Sequence, residues 1–251
     1  MGPDSVHASE RAFYDAHAER LDPGAMPPRP LHEFDRAMLD GLGPVAGRQV
    51  LDAGCGAGEV TLELLARGAR VTALDLSPGM VAVARERVKR FRPDAEAELV
   101  VAPLERTELA ESSIDLVVGK WVLHHVDLKP SVAEVARILR RGGAGVFFEN
   151  QALNPLLRFA RRRLAGRAGV TMVGTPDEHP LDEEDFRLLA RAFAHVELDY
   201  PNFYFFEIAS RNLLRESAQA PAQALDRLVW RAAPALRRYG YHVLIRVAKA
   251  R

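Results

Sequence analysis

Apolar positions along this chain follow two rhythms, short unbroken runs and stretches with a 3.6-residue period, and the two alternate from residue 48 onward. The runs predict strands over Gln49–Asp52, Val71–Asp75, Ala97–Ala102, Ile114–Gly119 and Ala144–Glu149. The periodic stretches between them predict helices over Ala57–Arg67, Pro78–Arg90 and Ser131–Arg141. Ser77 is placed to cap the second helix, with Pro78 at its first position. Gly142 and Gly143 read as the stop of the third. Strand and helix alternating at this spacing implies right-handed βαβ units and a parallel sheet.

Both flanks read differently. Ahead of the alternation, Arg11–Leu21 predicts a helix with Phe13, Tyr14 and Leu21 as its larger apolar residues. Asp22–Pro30 holds four prolines and a glycine and reads as a loop. Leu31–Leu42 predicts a helix with Leu31, Phe34, Met38 and Leu42 on one face. After Glu149 the regularity lapses. A helix over Pro155–Arg167 carries Arg158, Arg161, Arg162, Arg163 and Arg167, and a loop over 171–184 follows it. Then come a helix over Glu183–Phe193, a strand over His195–Phe206 with an aromatic end, helices over Ile208–Ala218 and Pro221–Arg238, and a last strand over Tyr241–Val247. The expected fold is α/β: a Rossmann-like, doubly wound, mostly parallel seven-stranded sheet with a helical N-terminal segment and cap or lid insertions. The expected division is an N-terminal helical cap (1–45), a Rossmann-like core (46–150), lid and substrate-facing segments with the remaining core helix and strand (151–238) and the last core strand (239–251).

Composition narrows the class. The 251 residues include 34 Lys plus Arg and 34 Asp plus Glu, a formal net charge of zero. A dedicated nucleic-acid binder usually carries a basic excess, so no nucleic-acid partner is expected. Hydrophobic residues at 48% and charged residues at 27% are the ordinary globular mix. Cys55 is the one cysteine, which leaves no intrachain disulfide and no cysteine-based zinc cage, and no metal is expected. The opening MGPDSVHASE lacks a basic region followed by an apolar one, and no apolar run approaches the ~20 residues of a spanning helix. The expectation is a soluble cytoplasmic protein without stable membrane insertion.

The strongest chemical signal is Val50-Leu51-Asp52-Ala53-Gly54-Cys55-Gly56-Ala57-Gly58-Glu59, which follows a strand and opens a helix. Glycines there let the backbone turn tightly and a ligand approach closely. Compared with the dinucleotide fingerprint G-x-G-x-x-G, Glu59 puts a carboxylate where the third glycine would stand, so a ligand without phosphates fits better. Asp75 ends the second strand at the edge where open α/β sheets bind ligands, and a carboxylate there can accept hydrogen bonds from vicinal ribose hydroxyls. Asp52 is a second carboxylate at that edge. Both suit a ligand with a ribose and a cationic amino-acid tail.

LDAGCGAGE, ALDLSPGM, IDLVVGKWVLHHV and LRRGGAGVFFEN, in that order over residues 48 to 150, resemble the class I S-adenosylmethionine-dependent methyltransferase family. The resemblance implies S-adenosyl-L-methionine as cofactor. It implies that Asp52, Gly54, Cys55, Gly56 and Gly58 line its methionine part, that Asp75 holds the ribose hydroxyls, and that Leu76 and Met80 lie against the adenine. Leu104 falls on the block whose backbone meets adenine in the family, with Pro103 where an acid is often found. Lys120 and Trp121 follow strand four and would border the transferred methyl. Tyr14 is the candidate for the tyrosine that an N-terminal helix often supplies.

Methyl transfer needs the nucleophile aligned at about 3 Å and, for some acceptors, deprotonated. His124 and His125, after strand four, are candidate bases because histidine titrates near neutrality. Glu149, at the end of strand five, could orient an acceptor or form an ion pair. His179 lies in the Thr175-Pro176-Asp177-Glu178-His179-Pro180 loop, whose acids could equally cap the following helix. The arginine helix reads as a solvated basic face, or as a surface for an anionic substrate or peripheral contact with an anionic membrane.

The sequence excludes several subclasses. No D/N/S-P-P-Y/F/W tetrapeptide marks a base-amino methyltransferase, no Pro-Cys pair supplies a cytosine C5 nucleophile, and arsenite chemistry needs more cysteines. The leading expectation is methylation of a small molecule, a secondary metabolite, at O, N or C. The alternatives are a lipid or quinone methyltransferase docking at a membrane, a non-catalytic cofactor-binding protein of the same fold, and a nicotinamide-dependent dehydrogenase, disfavoured by Glu59.

Overall fold

A computed structural model of the chain describes residues 3–164, 179–213 and 218–251. Its seven-stranded sheet has the order β3-β2-β1-β4-β5-β7-β6, where β1 is Gln49–Ala53, β2 Arg70–Asp75, β3 Ala97–Val101, β4 Ile114–Lys120, β5 Leu139–Asn150, β6 His195–Asp199 and β7 His242–Ala248. β3-β2-β1-β4-β5 run parallel, and β7 pairs antiparallel with both β5 and β6. The chain reverses direction across the sheet at β1, so the carboxyl ends of β1 and β4 flank the crevice where such sheets take ligands.

Successive residues of a strand point to opposite faces, and here both faces are covered. Leu51, Val117, Phe147 and Ile245 are buried on one face, under α5 (Leu128–Ile138) and α7 (Glu183–Ala192). Their neighbours Val50, Leu116, Val118, Phe148 and Leu244 are buried on the other, under α2 (Glu33–Leu42), α3 (Glu59–Ala66) and α4 (Pro78–Phe91). Each such side chain contributes about 1.5–3 kcal/mol by leaving water. Ser77 caps α4 as its sequence suggests, accepting from Met80 N at 3.0 Å.

Several boundaries differ from the sequence reading. The first helix, α1, spans Pro3–Ala18 rather than starting at Arg11, because much of its packed face is polar and gives no apolar period. α5 starts at Leu128, capped by Asp127, and ends at Ile138. Gly142 and Gly143 therefore lie within β5 rather than at a helix stop. Gly142 has φ +72°, and a Cβ on Gly143 would come within 2.9 Å of the Arg140 and Asp115 carbonyl oxygens. β6 ends at Asp199 because Pro201 has no N–H to continue the ladder. The aromatic residues beyond it lead into α8 (Phe206–Leu213), whose first amides are capped by the buried Asp226. Pro234 divides the next predicted helix into α9 (Gln219–Ala232) and a 3-10 turn over Pro234–Tyr239. The arginine helix, α6, is Pro155–Leu164. Arg167 and most of the loop after it, including Thr175, Asp177 and Glu178, lie outside the described residues.

Candidate active site

The turn after β1 is held by backbone. Gly54 N and Cys55 N both donate to the Leu74 carbonyl on β2, at 2.8 and 2.9 Å, and Gly58 N donates to Cys55 O at 2.8 Å. Gly54, Gly56 and Gly58 all have positive φ, the left-handed region that favours glycine. At Gly54 a Cβ would also meet Val122 Cγ2 at 2.9 Å. The turn is thereby pressed between β2 and the segment after β4.

Asp75 locks that turn from β2. Its Oδ2 accepts from Gly56 N and its Oδ1 from Ser77 N, both at 2.9 Å. Burial raises its pKa, and the two amides partly oppose that rise. Asp52 is more enclosed. Burial raises its pKa to about 7, against the hydrogen bond from Thr61 Oγ1 at 2.5 Å, with the neighbouring Asp75 charge adding to the rise. Burial likewise pushes the Cys55 thiol upward.

One cavity opens at this edge. Tyr14, Gly54, Gly56, Asp75, Leu76, Leu104, Lys120 and His125 line it, with Trp121 and Val122. Asp52, Cys55, Gly58 and Met80 stand behind the lining, Met80 Cε lying 3.6 Å from where a Cβ on Gly56 would be. The acceptor-side candidates separate in the same way. His125 is on the wall, with Nε2 3.3 Å from the Tyr14 hydroxyl. His124 is buried: its Nδ1 is 2.7 Å from Glu149 Oε2, while Glu149 Oε1 accepts from Val122 N and Leu123 N at 2.9 and 2.8 Å. That pair fixes the turn that carries His125. His179 is exposed, 3.3 Å from Asp185, and away from the lining. Lys120 is tied to Asp35 of α2 at 2.5 Å and sits over the Trp121 ring at 4.5 Å. Trp121 has φ +54°, sparsely populated for so large a side chain, and places its indole at the cavity.

Beyond Tyr14, the sequence reading missed what α1 contributes. His7, Glu10, Arg11 and Tyr14 recur at i, i+3, i+4 and i+7, and all line the cavity. Glu10 is 3% exposed, with Oε2 3.1 Å from His125 Nδ1. His7 Nε2 is 3.1 Å from Glu105. Asp15 fastens the helix to α4, accepting from Ser77 Oγ at 2.5 Å and Gly79 N at 2.9 Å. The i, i+3, i+4, i+7 spacing was readable, but a polar stripe on a helix ordinarily faces solvent.

Glu59 needs a correction. It does not present its charge to the glycine turn: Arg87, buried under α3, reaches it at 2.8 Å and also donates to Ala57 O and Met26 O. The charge argument against a phosphate ligand therefore lapses.

Fold and site together define a Rossmann-like protein with a glycine-lined cradle at the carboxyl edge of its sheet. Residues 51–147 match the family model described as "Methyltransferase domain". The chain is 38% identical over 102 residues to a malonyl-[acyl-carrier protein] O-methyltransferase of Serratia marcescens, 40% of this chain and 38% of that one. It is 34% identical over 151 residues to a ubiquinone biosynthesis O-methyltransferase of Alkalilimnicola ehrlichii, 57% of this chain and 60% of that one. The matched part thus spans less than two thirds of either relative. Among solved structures, geranyl diphosphate C-methyltransferase from Streptomyces coelicolor A3(2) superposes with TM-score 0.65 at 14% identity over 98% of both chains. Phosphoethanolamine N-methyltransferase 2 of Haemonchus contortus gives 0.60 at 20% identity, over 86% of this chain and 52% of that one. At those identities the likeness is one of fold. Over residues 51–147 the chain is similar to methyltransferases, and the structures that share its fold include one in complex with S-adenosyl-L-methionine. The cradle fits that cofactor: Gly54 and Gly56 keep the wall free of Cβ atoms, and the Asp75 carboxylate stands beside them on the same cavity.

Proposed function

We propose that this chain transfers a methyl group from S-adenosyl-L-methionine to a hydroxyl oxygen of a small-molecule acceptor, a secondary metabolite, with His125 taking up a proton by way of Tyr14. When bound, the cofactor supplies an electrophilic methyl on a sulfonium. Asp75 would hold the ribose hydroxyls, and Gly54 and Gly56, with Asp52 behind them, would border the amino-acid tail. Leu76 and Leu104 would flank the adenine. The single observation behind the choice of oxygen is His125 on the cavity wall, with the Tyr14 hydroxyl at one ring nitrogen and Glu10 at the other. With Glu10 beside Nδ1, Nε2 is the ring nitrogen that would accept a proton. The Tyr14 hydroxyl already sits at Nε2, so the acceptor's proton would travel through it: Tyr14 would pass its own proton to His125 and take the acceptor's. Trp121, Lys120 and the cavity face of α1 would border the acceptor.

The test begins with calorimetry, in which S-adenosylhomocysteine should bind and NADH should not. Acceptors are then screened by release of S-adenosylhomocysteine. Tight NADH binding without a response to S-adenosylhomocysteine would sink the reading.

A further inference from the structure

Charge is unevenly placed on this molecule. Lys plus Arg equals Asp plus Glu over the whole sequence, at 34 each, yet residues 151–164 hold four arginines and no acid, and residues 218–241 hold four arginines and one acid. That acid, Asp226, is buried at the start of α8 and accepts from Phe205 N and Phe206 N. The two segments meet at one edge: Gln151 Nε2 donates to the Arg238 and Gly240 carbonyls, and Asn154 Nδ2 to the Tyr239 carbonyl, at 2.9–3.0 Å.

Both segments also turn large apolar side chains outward. On α6, Leu156 and Phe159 are 64% and 61% exposed. They share a stripe with Arg163, at i, i+3 and i+7, and Arg158 is exposed between them. On α9, Leu225 and Leu228 are 45% and 60% exposed, interleaved with the exposed Arg227 and Arg231. Arg238 is paired with Glu183 at 3.3 Å and stands apart, but outward leucine and phenylalanine among Arg158, Arg163, Arg227 and Arg231 suit one environment in particular. At the headgroup level of an anionic bilayer, apolar side chains reach the acyl boundary while guanidinium groups meet lipid phosphates. A nucleic acid would have no use for the leucines. Among the described residues no helix is long and apolar enough to cross a membrane, so the contact is peripheral.

We propose that α6 and α9 form a docking face for an anionic lipid surface. The proposal goes beyond the proposed reaction and is read without turnover, so failure of methyl transfer would leave it standing. The full chain is sedimented with vesicles of equal parts phosphatidylglycerol and phosphatidylcholine, and with phosphatidylcholine alone, at about 0.05 M and about 0.5 M salt. Binding is expected on the anionic vesicles, released by salt and weak on phosphatidylcholine. Each basic residue near such a surface is worth roughly fivefold, so the Arg158→Glu/Arg163→Glu variant should bind at least about tenfold more weakly. Leu156→Ser/Phe159→Ser should also weaken binding, and both variants should keep their affinity for S-adenosylhomocysteine. Equal binding to phosphatidylcholine, or binding indifferent to the charge reversal, would overturn the proposal. So would a concentration-dependent dimer that Phe159→Ser abolishes, since a second copy would then be the occupant.

Discussion

Both Asp75 oxygens already accept backbone N–H groups, which fixes the carboxylate before any ligand arrives. A charged hydrogen bond is worth roughly 1.5–3 kcal/mol, so Asp75→Ala should weaken S-adenosylhomocysteine by about ten- to a hundredfold in calorimetry. The two adjacent histidines should behave in opposite ways. His125→Ala should cost turnover about a hundredfold to ten-thousandfold with cofactor affinity hardly moved. His124→Ala should instead lower stability by about 1–3 kcal/mol in denaturant titration, since it strips a buried partner from Glu149. Equal kinetic effects of the two would remove His125 from the base role. Asp52 gives a pH signature. Its folded pKa, about 7, lies above the unfolded value near 3.9, so the native state holds the extra proton between them and stability falls as pH rises through that window. His242 acts the other way below pH ~6.5, because burial lowers its pKa to about 3. The difference between wild type and Asp52→Asn isolates the Asp52 contribution. The apo variant should gain stability relative to wild type as pH goes from ~4 to ~7, measured by thermal melts.

At the scale of elements, α1 meets α4 through a small apolar cluster, Ala18 and Tyr14 with Met80 and Val83, and through polar contacts. Asp15 alone accepts from Ser77 Oγ and Gly79 N at the start of α4. Asp15→Ala should cost about 1–2 kcal/mol of local stability, as loss of a capping group does, and speed amide exchange across α1 before the sheet is affected. Exchange in α1 no faster than in wild type would show that its other contacts suffice. α1 also shows what periodicity misses. The sheet strands were legible because burial on both faces leaves dense apolar runs, whereas α1 turns His7, Glu10 and Tyr14 to a cavity, and that face looks like one for water. The glycine pair at 142–143 misled for a related reason. A glycine stop and a glycine-bearing strand are alike in one dimension, and the close approach of Asp115 O and Arg140 O decides between them.

For the molecule as a whole, the cradle joins β1, β2, β4 and α1, so a ligand in it links both flanks of the switch point. At a hundred times its dissociation constant, S-adenosylhomocysteine should stabilise the fold by about 2.7 kcal/mol. For a chain of this size that is a rise in Tm of several degrees, and NADH should give none. The sequence by itself determined the sheet, the glycine turn and Asp75. Those features rest on local patterns, namely runs of apolar residues, glycines where φ must be positive, and an acid at a strand end. Only the tertiary structure decided the directions of the charged groups. Glu59 turns to Arg87 rather than to the cradle, His124 to Glu149, and His125 to Glu10 and Tyr14. Each choice depends on a partner brought close by packing from elsewhere in the chain, Tyr14 and His125 being 111 residues apart. A side chain's neighbours in sequence carry little record of which distant group will share its buried volume.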